Sequence, residues 1–172
     1  MEKDESHPGF TLSLALMDAI PVLLFLATVV VAGTAVHNIV FTIGACFMVF
    51  AGVGKVLWKI LLGLGKGDVK FLNTLFAPLM IIGFLLIICG VVIAFKKQVL
   101  TWGMIKTDIL SFPAIVFIGL AVVGLCLMTI IRINHSADEL STQAGVNWMA
   151  EWTNTFAQAF LLIGMICAKM HH

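Results

Sequence analysis

The sequence predicts an all-α integral membrane protein, a compact bundle of five transmembrane helices joined by short loops. Of its 172 residues, 61% are hydrophobic and only 11% are charged. A soluble domain has about 25% charged and about 45–50% apolar residues, so this chain lacks the polar side chains needed to cover a surface in water. It also contains five mostly apolar windows of the length, roughly 20 residues, that a helix needs to cross the hydrocarbon.

The five predicted spans cover residues 12–33, 39–64, 71–95, 109–131 and 148–168. A polar segment, residues 1–11, precedes them and a short tail, residues 169–172, follows, so that residues 12–168 form a single transmembrane domain. The first segment is acidic and lacks the basic stretch and small-residue cleavage site of a secretory signal. We therefore expect the first span to be retained as a helix.

The connections between the spans carry their own signals. The first two spans are separated by a very short link that contains His37 and Asn38, which predicts a tight helical hairpin.

Residues 96–108 are long enough to lie on the membrane surface as an amphipathic helix, although an irregular loop fits them equally well. Ser136 and Glu139 have the spacing of a capping box. This pair predicts a helix that begins near Ala137 in water and continues into the fifth span.

Charge gives a weak indication of orientation. The formal net charge is +1, and Lys and Arg are divided almost evenly between the two sides that five spans would create. The tip of the first hairpin has no Lys or Arg, and cytoplasmic loops are normally enriched in them. We therefore expect a cytoplasmic N-terminus.

Polar side chains inside the predicted spans are the most informative feature of the sequence. A polar or ionisable group in lipid is costly and is a functional-site hypothesis by default. Because helix direction alternates, the start of the first span, the end of the second and the start of the fifth lie in one leaflet. We predict an intramembrane polar cluster there, supported by Asn147 and Arg132, whose members are Asp18, Lys55, Lys59, Glu151, Asn154 and Gln158.

Within this cluster, we expect Asp18 and Lys55 to interact, with Lys59 or Glu151 completing the group. Opposite charges at similar depth can pair, which is the least costly way to keep them in lipid.

Simpler interpretations remain open for several of these residues. Lys59 could be an interfacial anchor whose ammonium group reaches water. Glu151, which stands between two tryptophans, could lie at the membrane boundary. Asp18 could cap a helix that begins near Pro21. Gln158 could belong to a polar stripe that packs against another helix.

These features leave three classes of function. The first is an ion or small-solute transporter or channel, or a subunit of one, that uses the charged cluster as its site. The second is a non-catalytic accessory subunit of a larger membrane complex, in which the same residues hold helices together. The third, a membrane-embedded enzyme, is disfavoured because no catalytic set of residues is visible.

The expected partners follow from the same composition. They are the lipid bilayer and either further copies of the chain or a larger membrane complex. A nucleic-acid partner is excluded because phosphate binding needs a clustered excess of Lys and Arg. The four cysteines stand alone in apolar runs, without the spacing of a metal site, and no residue pattern indicates a cofactor.

Overall fold

A computed structural model describes residues 11–135 and 143–170. This part of the chain is helical and contains no strand, which confirms the all-α prediction. The elements are α1 (Leu12–Val36), α2 (Ile39–Gly63), α3 (Lys70–Thr74), α4 (Phe76–Lys96), α5 (Trp102–Met104), a π-helical turn (Ile105–Ile109), α6 (Ala114–Asn134) and α7 (Ala144–Lys169).

Local capping explains where the first two helices begin and end. The Thr11 side chain accepts a hydrogen bond from the backbone N–H of Leu14, and the Asn38 side chain accepts one from Val40 at 2.8 Å. Such caps satisfy N–H groups that have no partner in the first turn. His37 adopts the left-handed conformation that often ends a helix, with φ 42°. The link through His37 and Asn38 therefore forms the tight hairpin that the sequence predicts.

The long helices pack in the order α4, α2, α1, α7, α6. We call α2 with α4 the first arm, and α6 with α7 the second arm. Helix α1 lies between the arms and contacts both α2 and α7. In the described part of the chain, α4 and α6 do not pack against each other, so the two arms leave an opening between them.

Each arm is held together by close approach of its helices at glycine. A Cβ atom added to Gly44 would lie 2.7 Å from the carbonyl oxygen of Gly83, and one added to Gly124 would lie 2.8 Å from the Cβ of Ala157. Small residues permit such close packing, which supplies van der Waals contact where lipid provides no hydrophobic driving force. The two arms thus use the same means of association.

Four helical stretches in the described residues are long and apolar enough to cross a membrane, which indicates a membrane protein. They are Leu12–Val36, Ile39–Gly63, Lys70–Lys96 and Ala114–Asn134. Helix α7 is 26 residues long, but its polar residues make it less apolar than these four stretches.

Two expected helix boundaries are wrong. The fourth predicted span was expected to begin at residue 109, but α6 begins at Ala114, because a π-helical turn and Pro113 precede it. The last helix was expected to be continuous from about Ala137, but Gln143 is extended, with φ −94° and ψ 106°, and α7 begins at Ala144. The capping-box residues themselves lie outside the described residues.

The stretch at 96–108 is neither a long surface helix nor a wholly irregular loop. The side chain of Thr101 accepts a hydrogen bond from the N–H of Met104 and caps the short α5, which leads directly into the π-helical turn. Trp102 at the start of α5 is exposed and packs against Phe95 at a ring-centroid distance of 5.5 Å.

We predict that Gly44→Ala lowers the free energy of unfolding by about 1–3 kcal/mol, because the added methyl group meets backbone atoms of α4 that cannot easily move. Thermal unfolding in detergent measures the effect. Gly119→Ala in α6 is the matched control, since nothing lies within 4 Å of its added Cβ. Equal stability of the two variants would show that α2 and α4 are not closely packed at Gly44.

Candidate functional site

The centre of the candidate site is the ammonium group of Lys59 on α2. Its Nζ lies 3.1 Å from Asp18 Oδ2 on α1 and 2.8 Å from Glu151 Oε1 on α7. It also donates a hydrogen bond to Asn147 Oδ1 at 3.0 Å. We call Asp18, Lys59, Asn147 and Glu151 the ion cluster. Lys59 is only 1% exposed and Glu151 3%, so the cluster is withdrawn from the surface.

Helix geometry explains why these residues meet. Gly63 at the end of α2 lies against Leu12 at the start of α1, which sets the two antiparallel helices in register and brings Asp18 near the level of Lys59. On α7, Asn147 and Glu151 are four residues apart and therefore share one face. The structure thus brings together groups from the start of α1, the end of α2 and the start of α7.

Asp18 and Lys55 were expected to interact, with Lys59 or Glu151 completing the group. The charges of Asp18 and Lys55 do attract each other, but the direct ion pair of Asp18 is with Lys59. The Cα–Cβ bonds of a helix are tilted toward its N-terminus. In α1 and α2, which are antiparallel, Asp18 and Lys59 therefore lean toward each other, whereas Lys55 leans away. The ammonium of Lys55 lies 4.8 Å from the ring centroid of Phe76, a cation–π contact.

The interpretation of Lys59 as a snorkelling anchor is also wrong. Its side chain is buried and its nitrogen contacts three oxygen atoms, so it does not reach water. The interpretation of Asp18 as the cap of a helix near Pro21 fails as well, because α1 begins at Leu12 and Thr11 caps it.

Further oxygen atoms on α7 extend the polar surface beyond the ion cluster. Glu151 Oε2, Thr155 Oγ1 and Gln158 Oε1 are buried and accept no hydrogen bond from the described residues. Positions 151, 155 and 158 follow one helical stripe. Asn154 lies beside this stripe, and neither Asn154 nor Gln158 forms a hydrogen bond or ion pair with the ion cluster.

A cavity of about 320 Å³ lies between the two arms and reaches the ion cluster. We call it the cleft. Every helix of the two arms contributes to its wall: Lys55 and Lys59 come from α2, Phe76 from α4, Arg132 from α6 and Glu151 from α7. Arg132, predicted as a supporting residue, therefore lines the cleft and makes no ion pair within the cluster.

One side of the cleft is shaped by Trp58. This buried side chain donates a hydrogen bond from Nε1 to Asp68 Oδ1 at 2.7 Å, which fixes the end of α2 to the loop that follows. The contributions of Asp68 and Phe76 were not predicted from the sequence. Phe76 is one of 13 phenylalanines in a chain rich in apolar residues, so no sequence signal separates it from the others.

Comparisons of the chain with protein-family models, curated proteins and solved structures find no match. Within residues 11–135 and 143–170, no group of three His, Cys, Asp or Glu side chains is placed to hold a metal ion.

We predict that Asp18→Asn and Lys59→Met have strongly non-additive effects on stability, with a coupling energy of about 0.5–3 kcal/mol. Removing one member of a buried ion pair leaves its partner uncompensated, whereas removing both does not. The free energy of unfolding in detergent is compared for the two single variants and the double variant.

The matched control for this cycle is Lys55→Met combined with Asp18→Asn. Lys55 lies on the same helix, one turn away. It attracts Asp18 only over a longer distance and makes no direct ion pair with it, so its coupling should be smaller. If the Lys55 cycle shows the larger coupling, the assignment of Lys59 as the partner of Asp18 is wrong.

Proposed function

We propose that this chain is an ion or small-solute transporter or channel, or a subunit of one, whose site is the ion cluster and the adjoining cleft. The observation that carries the proposal is that Lys59 and Glu151, which form a buried ion pair, also form part of the cleft wall. The cleft brings a solute next to this pair, although Lys59 and Glu151 are themselves almost completely buried. Charged groups within membrane helices are characteristic of ion and substrate pathways.

The unpartnered oxygen atoms of α7 add to this support. Each carries an unfavourable desolvation cost of about 1–3 kcal/mol when it has no donor. Three of them continue from Glu151 through Thr155 to Gln158, away from the cleft. Such a series would offer successive acceptors to water or to a proton or cation that moves along α7.

The proposal includes α7 as a fifth membrane-spanning helix, with the N-terminus in the cytoplasm. At about 1.5 Å per residue, its 26 residues span about 39 Å, which exceeds the roughly 30 Å of the hydrocarbon core. Its charged residue Glu151 faces Lys59 rather than lipid. Inward-facing paired charges are the form in which membrane helices tolerate them.

A second candidate is an accessory subunit of a larger membrane complex. The observation in its favour is the attachment of α1, α2 and α7 to one lysine nitrogen, which would hold helices together without any movement of solute. In either case we propose assembly with further copies or with other membrane proteins.

The five-span arrangement predicts that the two ends of the chain lie on opposite sides of the membrane. Reporter fusions at residue 1 and residue 172, one active only in the cytoplasm and one only outside, test this in cells. Fusions that report the same side would show that α7 does not cross.

We predict that Glu151→Gln abolishes transport, because it removes the charge at the cleft wall while nearly preserving size. Purified protein is reconstituted into liposomes, and fluxes of protons, alkali cations and small anions are followed with indicator dyes. Flux through the variant should fall to the level of empty liposomes. Lys66→Met, an exposed charge outside the cleft, should leave it unchanged.

The two candidates give different results in this assay. A folded wild-type protein that moves none of these ions, and whose Glu151→Gln variant loses only stability, would overturn the transport proposal in favour of the accessory role. Circular dichroism and gel filtration establish that both variants are folded.

A further inference from the structure

Two cations of the cleft form no direct ion pair with a carboxylate among the described residues. Lys55 and Arg132 both line the cavity, and neither forms an ion pair in the described part of the chain, where the ion pairs of this region belong to Lys59. The two nearby carboxylates, Asp18 and Glu151, are already bound to Lys59. Among the described side chains that line the cleft or belong to the ion cluster, cations therefore outnumber carboxylates.

Counting the charged side chains of the site shows the surplus of positive charge. Three cations, Lys55, Lys59 and Arg132, face two carboxylates, Asp18 and Glu151. Excess charge beside a membrane interior is unfavourable. Lys55 is attracted by Asp18 and Glu151, and the repulsion between Lys55 and Arg132 adds to the excess of positive charge. An anion bound between them would relieve their repulsion and balance the charge.

We propose that the cleft binds a phosphate-bearing anionic ligand, with Arg132 and Lys55 as its charged contacts. The planar fork of an arginine side chain suits two phosphate oxygens at once, and a lysine contributes a point charge to a further oxygen. A tetrahedral phosphate group can therefore be shared by donors from α6 and α2, which lie on opposite arms.

The position of the cleft allows a lipid headgroup to supply this phosphate. Because α4 and α6 do not pack against each other, the cavity lies between helices that stand apart, with Phe76 on one and Arg132 on the other. Arg132 is exposed and lies two residues before the end of α6, at the level expected for headgroups. Basic pockets between membrane helices are known sites for such headgroups.

The remaining wall suits the less polar part of an amphiphile. Phe76 and Met128 provide apolar surface, and Asn73 provides an amide that can donate to an oxygen. The volume of about 320 Å³ lies within the range of small-molecule sites, about 300–1,000 Å³. A free phosphate compound that enters from the water would use the same charged contacts.

This inference deepens the proposed function by naming the chemical class that the cleft accepts, and its role in transport rests on that proposal. Binding itself does not. A protein that binds the ligand but shows no flux would overturn the transport proposal and leave this one standing.

The test is direct binding to the purified full chain in neutral detergent, followed by microscale thermophoresis. The probes are dihexanoyl phosphatidylglycerol, the zwitterionic dihexanoyl phosphatidylcholine and inorganic phosphate. We expect phosphatidylglycerol to bind at least tenfold more tightly than phosphatidylcholine. Arg132→Met and Lys55→Met should each weaken its binding about tenfold or more, the effect of losing one charge-assisted hydrogen bond.

The controls separate a built site from general attraction. Lys66→Met removes an exposed cation outside the cleft and should leave binding unchanged. Arg132→Lys should bind more weakly than wild type but more tightly than Arg132→Met, since it keeps the charge and loses the fork. If Lys55→Met does not fold, the exposed Arg132 still supplies the decisive variant.

Each outcome has a defined meaning. Preferential binding of phosphatidylglycerol over inorganic phosphate supports a lipid headgroup, and equal binding of the two supports a free phosphate compound. Absence of any preference over phosphatidylcholine for both anionic probes would overturn the proposal. Equal loss of binding in Lys66→Met and Arg132→Met would also overturn it, because attraction would then be spread over the surface.

Discussion

The architecture depends on one buried ammonium group. Helices α2 and α7 do not pack closely against each other, yet Lys59 connects them, because its four-carbon stem reaches across to Glu151 and Asn147. The same nitrogen contacts Asp18 on α1. Each arm is cohesive through its glycine contacts. Between the arms, the described structure has α1, this lysine and the segment before α6, whose π-helical turn packs against α7. A charge that is costly in lipid is thus placed where it joins otherwise separate parts.

The ion pairing explains how one set of residues fits two interpretations of function. A lysine held by two carboxylates stabilises the meeting of three helices, which is a structural role. One of these carboxylates, Glu151, also lines the cleft between the two arms. A purely structural role would gain nothing from this position. We favour transport because a buried structural lock does not require an opening beside it.

Hydropathy predicted most of the fold, because lipid forces the backbone to form helices whose apolar length is readable. The predicted spans 12–33 and 39–64 lie close to α1 and α2.

Alternating helix direction predicted which polar residues share a leaflet. Asp18 pairs directly with Lys59 because the Cα–Cβ bonds of a helix tilt toward its N-terminus. This rule applies to any sequence, but it selects Lys59 only once the register of α1 and α2 is known. The cleft could not be predicted, since it depends on α4 and α6 standing apart, and hydropathy says nothing about which helices are neighbours.

The hydrogen atoms of Lys59 have a consequence for selectivity. An ammonium group carries three N–H bonds, and three oxygen atoms, from Asp18, Asn147 and Glu151, surround this one. Two of them, Asn147 Oδ1 and Glu151 Oε1, accept hydrogen bonds from the ammonium group, and Asp18 Oδ2 lies within ion-pair distance. A ligand in the cleft therefore competes with these oxygens for Lys59. Recognition of the ligand therefore depends on Lys55 and Arg132, which line the cleft and form no direct ion pair with a described residue. A ligand strong enough to compete for Lys59 would detach α1 or α7 from the centre, and occupancy of the cleft would thereby alter how the helices are joined.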